Sequence, residues 1–271
     1  MEQDKRYRPI GVFDSGIGGL TVAKAILEVL PNERLIYFGD TAHLPYGDKS
    51  TAAIQAYAVK ICDLLIKQNC KVILIACNSA SAAAYELVKE YVGSKAKVLN
   101  VIDPIVSYIG QTYPGKTIGL IGTKQTVNSN VYRKKVDALG CDINLKSHAT
   151  PLLAAMIEEG FFNDSISENV IHTYLSDQDL NGIEALILGC THYPLIKKQI
   201  ESFYQGEVDV LDASQIVALH VKDYLEANNL AADKPMGEHH FYVSDFTRSF
   251  EESTRIFFQR QVHLEHYPLW E

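Results

Sequence analysis

The chain has 271 residues, a net charge of −8, and 47% hydrophobic and 21% charged residues. This composition is typical of a globular protein with a buried core, in one large domain or two modest ones. An acidic chain without a lysine- and arginine-rich cluster is not expected to bind nucleic acid as its main task. The apolar runs fall well short of the roughly 20 residues that span a bilayer, and the polar N-terminus does not resemble a signal peptide. We therefore expect a cytoplasmic protein that does not contact membranes.

Short β-rich runs alternate with longer amphipathic stretches along the chain. Strands are predicted, in order, at Ile10–Asp14, Leu35–Gly39, Val72–Ala76, Val98–Ile102, Thr117–Ile121, Ala185–Gly189, Val208–Asp212 and His240–Ser244. Helices are predicted, in order, at Leu20–Leu30, Ser50–Gln68, Ala80–Tyr91, Gln125–Leu139, Pro151–Glu159, Ser165–Leu175, Leu195–Phe203, Gln215–Asn228 and Thr247–Phe258. Strands that alternate with helices form parallel sheets covered by helices, so the pattern predicts an α/β fold.

The sequence also repeats itself once, with weak similarity. Three pairs of segments match in the same order, at offsets of 108, 113 and 109 residues: Ile10–Gly16 with Ile118–Lys124, Val72–Ala80 with Ala185–Tyr193, and Asn100–Pro104 with Asp209–Ala213. Matches that recur in order at nearly one offset indicate two related α/β halves. We predict two pseudo-symmetric domains, residues 1–99 with 212–271 and residues 100–211, with the active site in the cleft between them.

Two of the five cysteines stand where ligand sites form. Cys77 comes after one predicted strand and before a helix, and Cys190 has the same setting in the second half. Ligands of open α/β sheets bind at the carboxyl ends of the strands, and a helix N-terminus favours a thiolate. The sequence thus predicts a cleft with one thiol on each wall. Cys62, Cys70 and Cys141 lack such a setting and are interpreted as structural free thiols.

Polar loops follow the same strands. Residues 14–19 are glycine-rich but match neither a dinucleotide fingerprint nor a P-loop. Asp14 in this loop is a candidate to contact a substrate ammonium group or Cys77, or else to cap a helix. Pro45, Tyr46 and Gly47 form a predicted turn that presents backbone N–H groups. A zinc site of Cys77, Cys190 and His192 is a second interpretation, although Cys-x-His is not the usual ligand spacing.

Four segments together carry a family resemblance. They are DSGIGGL at Asp14–Leu20, GDTAHLPYG at Gly39–Gly47, ACNSASA at Ala76–Ala82 and GCTHYP at Gly189–Pro194. They resemble the glutamate racemases of the cofactor-independent aspartate/glutamate racemase family, and the likeness covers nearly the whole chain. Two departures are visible, because His43 stands where family members often carry Arg or Lys, and Ser79 where many carry Thr.

The resemblance implies roles for individual residues. Cys77 and Cys190 are implied as the two catalytic bases, and Asp14, Glu158 and His192 as assisting acid–base groups. Glu158 matches only through a short MIEEG stretch, so Glu159 stays open as the alternative. The implied substrate contacts are Asp14, Ser15, Pro45, Tyr46, Gly47, Asn78, Ser79, Thr191 and His192.

The resemblance also implies the reaction. Such an enzyme interconverts L- and D-glutamate without a cofactor or metal, with Cys77 acting on D-glutamate and Cys190 on L-glutamate. Racemisation removes the Cα proton on one face and returns it on the other, which two opposed thiols can do. The product D-glutamate would supply bacterial peptidoglycan. Aspartate racemase and a zinc-bound or non-catalytic amino-acid-binding protein are the alternatives, and the oligomeric state is left open, a homodimer included.

Overall fold

The computed structural model describes residues 4–162 and 164–271. Its strands are β1 (Ile10–Asp14), β2 (Leu35–Gly39), β3 (Val72–Ile75), β4 (Lys97–Asn100), β5 (Thr117–Gly122), β6 (Asn144–Ala149), β7 (Ala185–Gly189), β8 (Asp209–Leu211), β9 (His240–Val243) and β10 (Glu265–His266). They form two sheets, in the orders β10-β9-β2-β1-β3-β4 and β6-β5-β7-β8. Every strand pairing is parallel. The predicted α/β fold with parallel sheets is confirmed.

Helices connect and cover the strands. They are α1 (Leu20–Val29), α2 (Thr51–Lys67), α3 (Asn78–Val92), α4 (Ile102–Thr112), α5 (Lys124–Asn128), α6 (Val131–Asp137), α7 (Pro151–Glu158), α8 (Ser165–Leu175), α9 (Lys197–Phe203), α10 (Ala213–Ala227) and α11 (Arg248–Phe258). Short 3-10 helices occupy Lys5–Tyr7, Tyr46–Asp48, Gln178–Leu180 and Tyr193–Ile196. None of the helices in the described ranges is long and apolar enough to cross a membrane.

The internal repeat corresponds to a repeat of topology. The first four strands stand in the order β2-β1-β3-β4 and the next four in the order β6-β5-β7-β8. Each half therefore has its first strand in the middle, its second at one side, and its third and fourth at the other. Helix α10, which follows the second sheet, packs on α1 of the first half. This packing agrees with the predicted return of residues 212–271 to the first half, whose boundaries stay a prediction.

Strand β6 was absent from the predicted elements. Its burial explains why, since Leu145 is its only fully buried residue and the rest of Asn144–Ala149 is half-buried or exposed. It is an edge strand that pairs with β5 alone. Edge strands carry polar residues and lack the continuous apolar run by which buried parallel strands are detected.

The predicted strand Val98–Ile102 is wrong at its end, because helix α4 begins at Ile102. Asn100 causes the change of direction, since its Oδ1 accepts hydrogen bonds from the backbone N–H groups of Ile102, at 2.8 Å, and Asp103, at 2.9 Å. This bonding satisfies two of the amides that a helix start leaves without partners. Pro104 lies in the first turn, where proline is tolerated.

The predicted helix Gln125–Leu139 is also wrong, because it is two helices. Asn130 separates α5 from α6 and adopts a left-handed conformation with φ of 55°. Ser129 stabilises the break, since its hydroxyl donates to the carbonyl of Thr126 at 2.7 Å and accepts from the N–H of Val131 at 3.2 Å. Such local side-chain bonds compete with the helical ladder.

Two apolar cores hold the sheets in place. Alternate residues of β1 point to opposite faces, so that Val12 lies in one core and Phe13 in the other. The core on the Phe13 side is covered by α2 and α3. The core on the Val12 side continues into the second sheet, where Leu120 and Leu186 belong to the same cluster. This shared core holds the carboxyl ends of the two sheets against each other.

Candidate active site

A small cavity lies where residues that follow strands of both sheets meet. Its lining residues are Ser15, Pro45, Tyr46, Gly47, Cys77, Asn78, Ser79, Thr123, Ala154, Glu158, Gly189, Cys190, Thr191 and His192. The loops after β1, β2 and β3 supply one wall, and the segments after β5, β6 and β7 the other. The cavity measures about 20 Å³, which is room for about one water molecule. An amino acid can therefore enter only after the walls separate.

Cys77 lies two residues after the end of β3 and caps helix α3. Its thiol donates to Ser15 Oγ at 3.7 Å and accepts the backbone N–H of Ala80 at 3.5 Å. Burial raises the pKa of this thiol, and the nearby charge of Asp14 raises it further. Cys77 is therefore protonated at neutral pH.

Cys190 faces a buried imidazole on the opposite wall. Its Sγ lies 3.5 Å from Nδ1 of His192, and Nε2 of His192 lies 2.8 Å from Oε1 of Glu158. Burial alone would lower the pKa of His192, but Cys190 and Glu158 outweigh it and raise the pKa well above its usual value. The imidazole is thus held as a cation, which stabilises negative charge on either neighbour. Glu159 is exposed at the end of α7, so Glu158 is the carboxylate that lies at the site.

The two cysteines are not equivalent in their surroundings. Cys77 stands at the N-terminus of the α-helix Asn78–Val92. After Cys190 the chain forms only the 3-10 turn Tyr193–Ile196 before α9 begins at Lys197. Cys190 is therefore followed by a short 3-10 turn that contains Pro194, and not directly by an α-helix. His192 takes the place of the helix dipole as the source of positive charge.

The chain matches a known protein family over most of its length. The sequence model of Asp/Glu/Hydantoin racemases matches residues 10–221. This chain belongs to that family. It is 38% identical over 259 residues to glutamate racemase 3 of Caldanaerobacter subterraneus subsp. tengcongensis, covering 95% of this chain and 93% of the relative. It is 38% identical to the glutamate racemase of Neisseria meningitidis serogroup B, over 97% of both chains.

Solved structures show the same relationship. The glutamate racemase of Francisella tularensis in complex with D-glutamate superposes with a TM-score of 0.91 at 42% identity, covering 98% of this chain and 99% of that one. The isoform RacE1 from Bacillus anthracis gives 0.90 at 31% identity, covering 96% of this chain and 98% of that one. The predicted resemblance to the glutamate racemases is thus confirmed, as is the prediction that the chain is a racemase, and hence an isomerase.

Asp14 lies behind the wall of the cavity and does not line it. It is fully buried, and its Oδ2 accepts the backbone N–H groups of Gly16 at 3.3 Å and Gly19 at 2.9 Å. Its Oδ1 has no hydrogen-bond partner within the described part of the chain. Burial raises the pKa of Asp14. Its predicted contact with Cys77 or with a substrate ammonium group stays a prediction.

Asn78 and Ser79 of the first wall are held by partners from the second half. Tyr132 donates its hydroxyl to Oδ1 of Asn78 at 2.7 Å, so that the amide NH₂ group is left as the donor for a ligand. Ser79 Oγ lies 2.8 Å from Oγ1 of Thr123. Thr191 Oγ1 lies 3.5 Å from Nδ1 of His192 on the other wall. Hydroxyl and amide donors therefore converge on the cavity from both sides.

Thr123 was not among the predicted site residues. It caps helix α5. Its side chain packs so closely on Gly47 that a Cβ added there would lie 2.7 Å from the Cβ of Thr123. The repeat contains the signal that would have found it. In the alignment of Ile10–Gly16 with Ile118–Lys124, Thr123 is the counterpart of Ser15.

His43 does not line the cavity. Its Nδ1 lies 3.0 Å from Oδ2 of Asp40, and its ring stacks on Tyr57 with centroids 4.0 Å apart. The residue at this position therefore acts on the loop that carries Tyr46, and not on the cavity itself.

The distances between the candidate ligand atoms do not support the zinc interpretation. Among the residues that the structure describes, Cys77, Cys190 and His192 do not form a group whose ligand atoms all lie within 4.8 Å of one another. A group with that spacing does form at His148, Asp177 and Asp179, away from the cavity.

Gly18 permits the close approach of His192. A Cβ added to Gly18 would lie 2.5 Å from Cε1 of His192 and 2.6 Å from Oγ1 of Thr191, distances that real atoms do not adopt. We expect Gly18→Ala to displace His192 and to lower kcat/KM by about 10- to 100-fold, because sub-ångström misplacement of a reacting group is costly. Steady-state kinetics on the folded variant measures this.

Gly110→Ala is the matched control for that variant. Gly110 lies in helix α4, and the added Cβ would meet only the end of the exposed Leu139 side chain. We expect this variant to keep wild-type kinetics. Wild-type kcat/KM in Gly18→Ala would show that the close packing on His192 has no part in activity.

Proposed function

We propose that this protein is a glutamate racemase that uses no cofactor, in which one cysteine removes the Cα proton and another delivers its own proton to the opposite face. One observation carries the proposal: Cys77 and Cys190 line the same small cavity from opposite walls. Two opposed thiols suit a reaction that removes a proton from one face of a carbon and returns it to the other. One thiol must be ionised and the other protonated at each turnover.

The surroundings of the thiols support a starting state for the reaction. The raised pKa of Cys77 keeps it protonated, and the cationic His192 stabilises a thiolate at Cys190. In the proposed forward reaction, Cys190 takes the proton of L-glutamate while Cys77 delivers its own proton to the other face. In the reverse reaction Cys77 removes the proton of D-glutamate, and Cys190 returns one. His192, hydrogen-bonded to Glu158, supplies or holds the positive charge at each stage.

The carbanion-like state must be stabilised by the chain itself. Helix α3 points the first backbone N–H groups of Asn78 and Ser79 towards the end of the strand, where they can bind a carboxylate. We assign the other substrate contacts to hydroxyl, amide and turn groups of both walls: Ser15, Pro45, Tyr46, Gly47, Thr123, Thr191 and His192. In a closed, dry cavity these donors act more strongly than they do in water.

Glutamate is favoured over aspartate by the relatives. Curated glutamate racemases match this chain at 36 to 39% identity over 90 to 97% of its length. The aspartate racemase homologue of Pyrococcus horikoshii is 20% identical with a TM-score of 0.57, which shows the fold alone. Aspartate stays the alternative substrate.

The proposed physiological role follows from the proposed activity. D-glutamate is a component of bacterial peptidoglycan, and we propose that the protein supplies it from L-glutamate in the cytoplasm. We propose no nucleic-acid or membrane partner, and a homodimer as the candidate assembly.

Circular dichroism of the purified protein with L- or D-glutamate tests the proposal. We expect the signal of either enantiomer to decay to zero, with no cofactor added and with a metal chelator present. Aspartate run in parallel should give a rate at least about 100-fold lower. A constant glutamate signal beside a decaying aspartate signal would assign the protein to the other substrate.

A further inference from the structure

A buried carboxylate joins the end of the chain to one wall of the cavity. Asp40 is fully buried, in the loop that follows β2. Its Oδ2 accepts the hydroxyl of Tyr46 at 2.6 Å, and its Oδ1 accepts Ser244 Oγ at 2.8 Å and the indole Nε1–H of Trp270 at 2.7 Å. His43 Nδ1 lies 3.0 Å from Oδ2. Four side chains, two from the same loop and two from distant parts of the chain, thus converge on one carboxylate.

Trp270 is the most distant of these partners, 230 residues from Asp40. Its ring packs edge-on against His43, with centroids 4.5 Å apart, and against Tyr57 at 5.4 Å. Lys60 Nζ lies 4.6 Å from the centroid of the same ring. The ring is therefore held by packing as well as by its hydrogen bond, and the two contributions can be separated by substitution.

The hydrogen bond of Tyr46 connects Asp40 to the cavity. Tyr46 is 1% exposed, and it lines the cavity between Pro45 and Gly47. Its hydroxyl points away from the cavity to Asp40, so it serves to hold the turn and leaves the backbone of the turn to face the ligand. Losing one donor leaves a buried carboxylate oxygen with one hydrogen bond fewer, and the loop would relax to recover a partner.

We propose that Asp40 and Trp270 are positioning residues that hold the Pro45–Gly47 turn in its ligand-binding position and thereby determine the affinity for glutamate. This inference rests on the proposed glutamate racemase function. The turn contains neither cysteine, so its displacement weakens contacts made equally in the ground state and the transition state. Such a loss raises KM and leaves kcat nearly unchanged.

Trp270→Phe tests the role, because it keeps a six-membered aromatic ring for packing and removes the indole N–H together with the five-membered ring that carries it. We expect KM to rise about three- to tenfold for both enantiomers, with kcat within about twofold of wild type. Lys60→Met is the matched control, since it removes the cation from the same ring and leaves the bond to Asp40. We expect Lys60→Met to keep the wild-type KM.

A double variant separates a shared role from two local ones. Tyr46→Phe removes a different donor from the same carboxylate and should also raise KM. If Asp40 holds the turn, the combined variant with Trp270→Phe should raise KM by clearly less than the product of the single effects, because both substitutions release one loop. Should Trp270→Phe fail to fold, Tyr46→Phe alone carries the same expectation for KM and kcat.

Fluorescence gives an independent readout, because Trp270 is the single tryptophan of the chain. We expect a saturable change in its emission on addition of glutamate, with a midpoint near KM. An unchanged KM in both Trp270→Phe and Tyr46→Phe, or a fall in kcat alone, would overturn the positioning role. A wild-type protein that does not racemise glutamate would instead overturn the proposed function, before any variant is compared.

Discussion

Cys77→Ser and Cys190→Ser are each expected to lower kcat/KM for racemisation by at least about 10³-fold. A serine hydroxyl is a far weaker acid than a thiol, so its ionised form is scarcely available at neutral pH to remove a Cα proton. Both walls are needed in either direction, because each turnover uses one cysteine as base and the other as acid. Circular dichroism with each enantiomer measures the loss.

The two variants should differ in what they retain. In D₂O the protein without Cys77 should still exchange the Cα proton of L-glutamate through Cys190, and the protein without Cys190 that of D-glutamate through Cys77. Proton NMR of the recovered amino acid measures this exchange. The complementary pattern is the signature of two bases, one for each face.

Cys141→Ser is the control, since Cys141 is half-exposed and lies outside the cavity. We expect wild-type racemisation from it. Racemisation at the wild-type rate in either of the two site variants would sink the two-base mechanism. Exchange of the same enantiomer in both would show that the proposed assignment of faces is wrong.

His192→Asn is expected to lower kcat by about 100-fold, because it removes the cation beside Cys190. The neighbouring positive charge lies 3.5 Å from Sγ and is held there by Glu158. The equilibrium constant of a racemisation is one, so kcat/KM must stay equal for the two enantiomers in every variant. Isotope effects are therefore used to compare the proton-transfer steps of the two cysteines.

The slowed step in His192→Asn should be the one that uses Cys190. We expect the substrate deuterium isotope effect on kcat to grow for L-[2-²H]glutamate, whose deuteron Cys190 removes, and to grow less for the D enantiomer. Equal isotope effects for both would show that His192 serves the two cysteines alike.

Glu158→Gln should shift the pH dependence in a defined direction. Glu158 and Cys190 raise the pKa of His192, so the cationic form exists below that raised pKa and is lost as pH rises through it. Removing the carboxylate lowers the pKa, and the alkaline fall in activity should begin about one pH unit lower. Glu159→Gln is the control, because Glu159 is exposed and its removal should leave the profile unchanged. An unmoved alkaline limb in Glu158→Gln would remove Glu158 from the proton-transfer network.

The periodicity of the sequence did not predict strand β6 and helix α4, but the internal repeat contains a signal for both. Shifting Leu35–Gly39 by the repeat offset of about 109 residues gives 144–148, where β6 lies. Likewise α4 is the counterpart of α10, which was predicted at Gln215–Asn228, since Asn100–Pro104 matches Asp209–Ala213. Edge strands and proline-containing helix starts give weak local signals, and the repeat could have supplied them.

The sequence by itself determined the α/β architecture, the two halves and the strand ends at which Cys77 and Cys190 stand. Local patterns determine the elements and the strand ends, because burial of a strand and the start of a helix depend on residues close in the chain, and the internal repeat indicates the halves. Only the tertiary structure decided that Glu158 and not its neighbour reaches His192, and that Trp270 reaches Asp40. These pairs are 34 and 230 residues apart. No periodicity links residues at such separations, since the packing of whole elements brings them together.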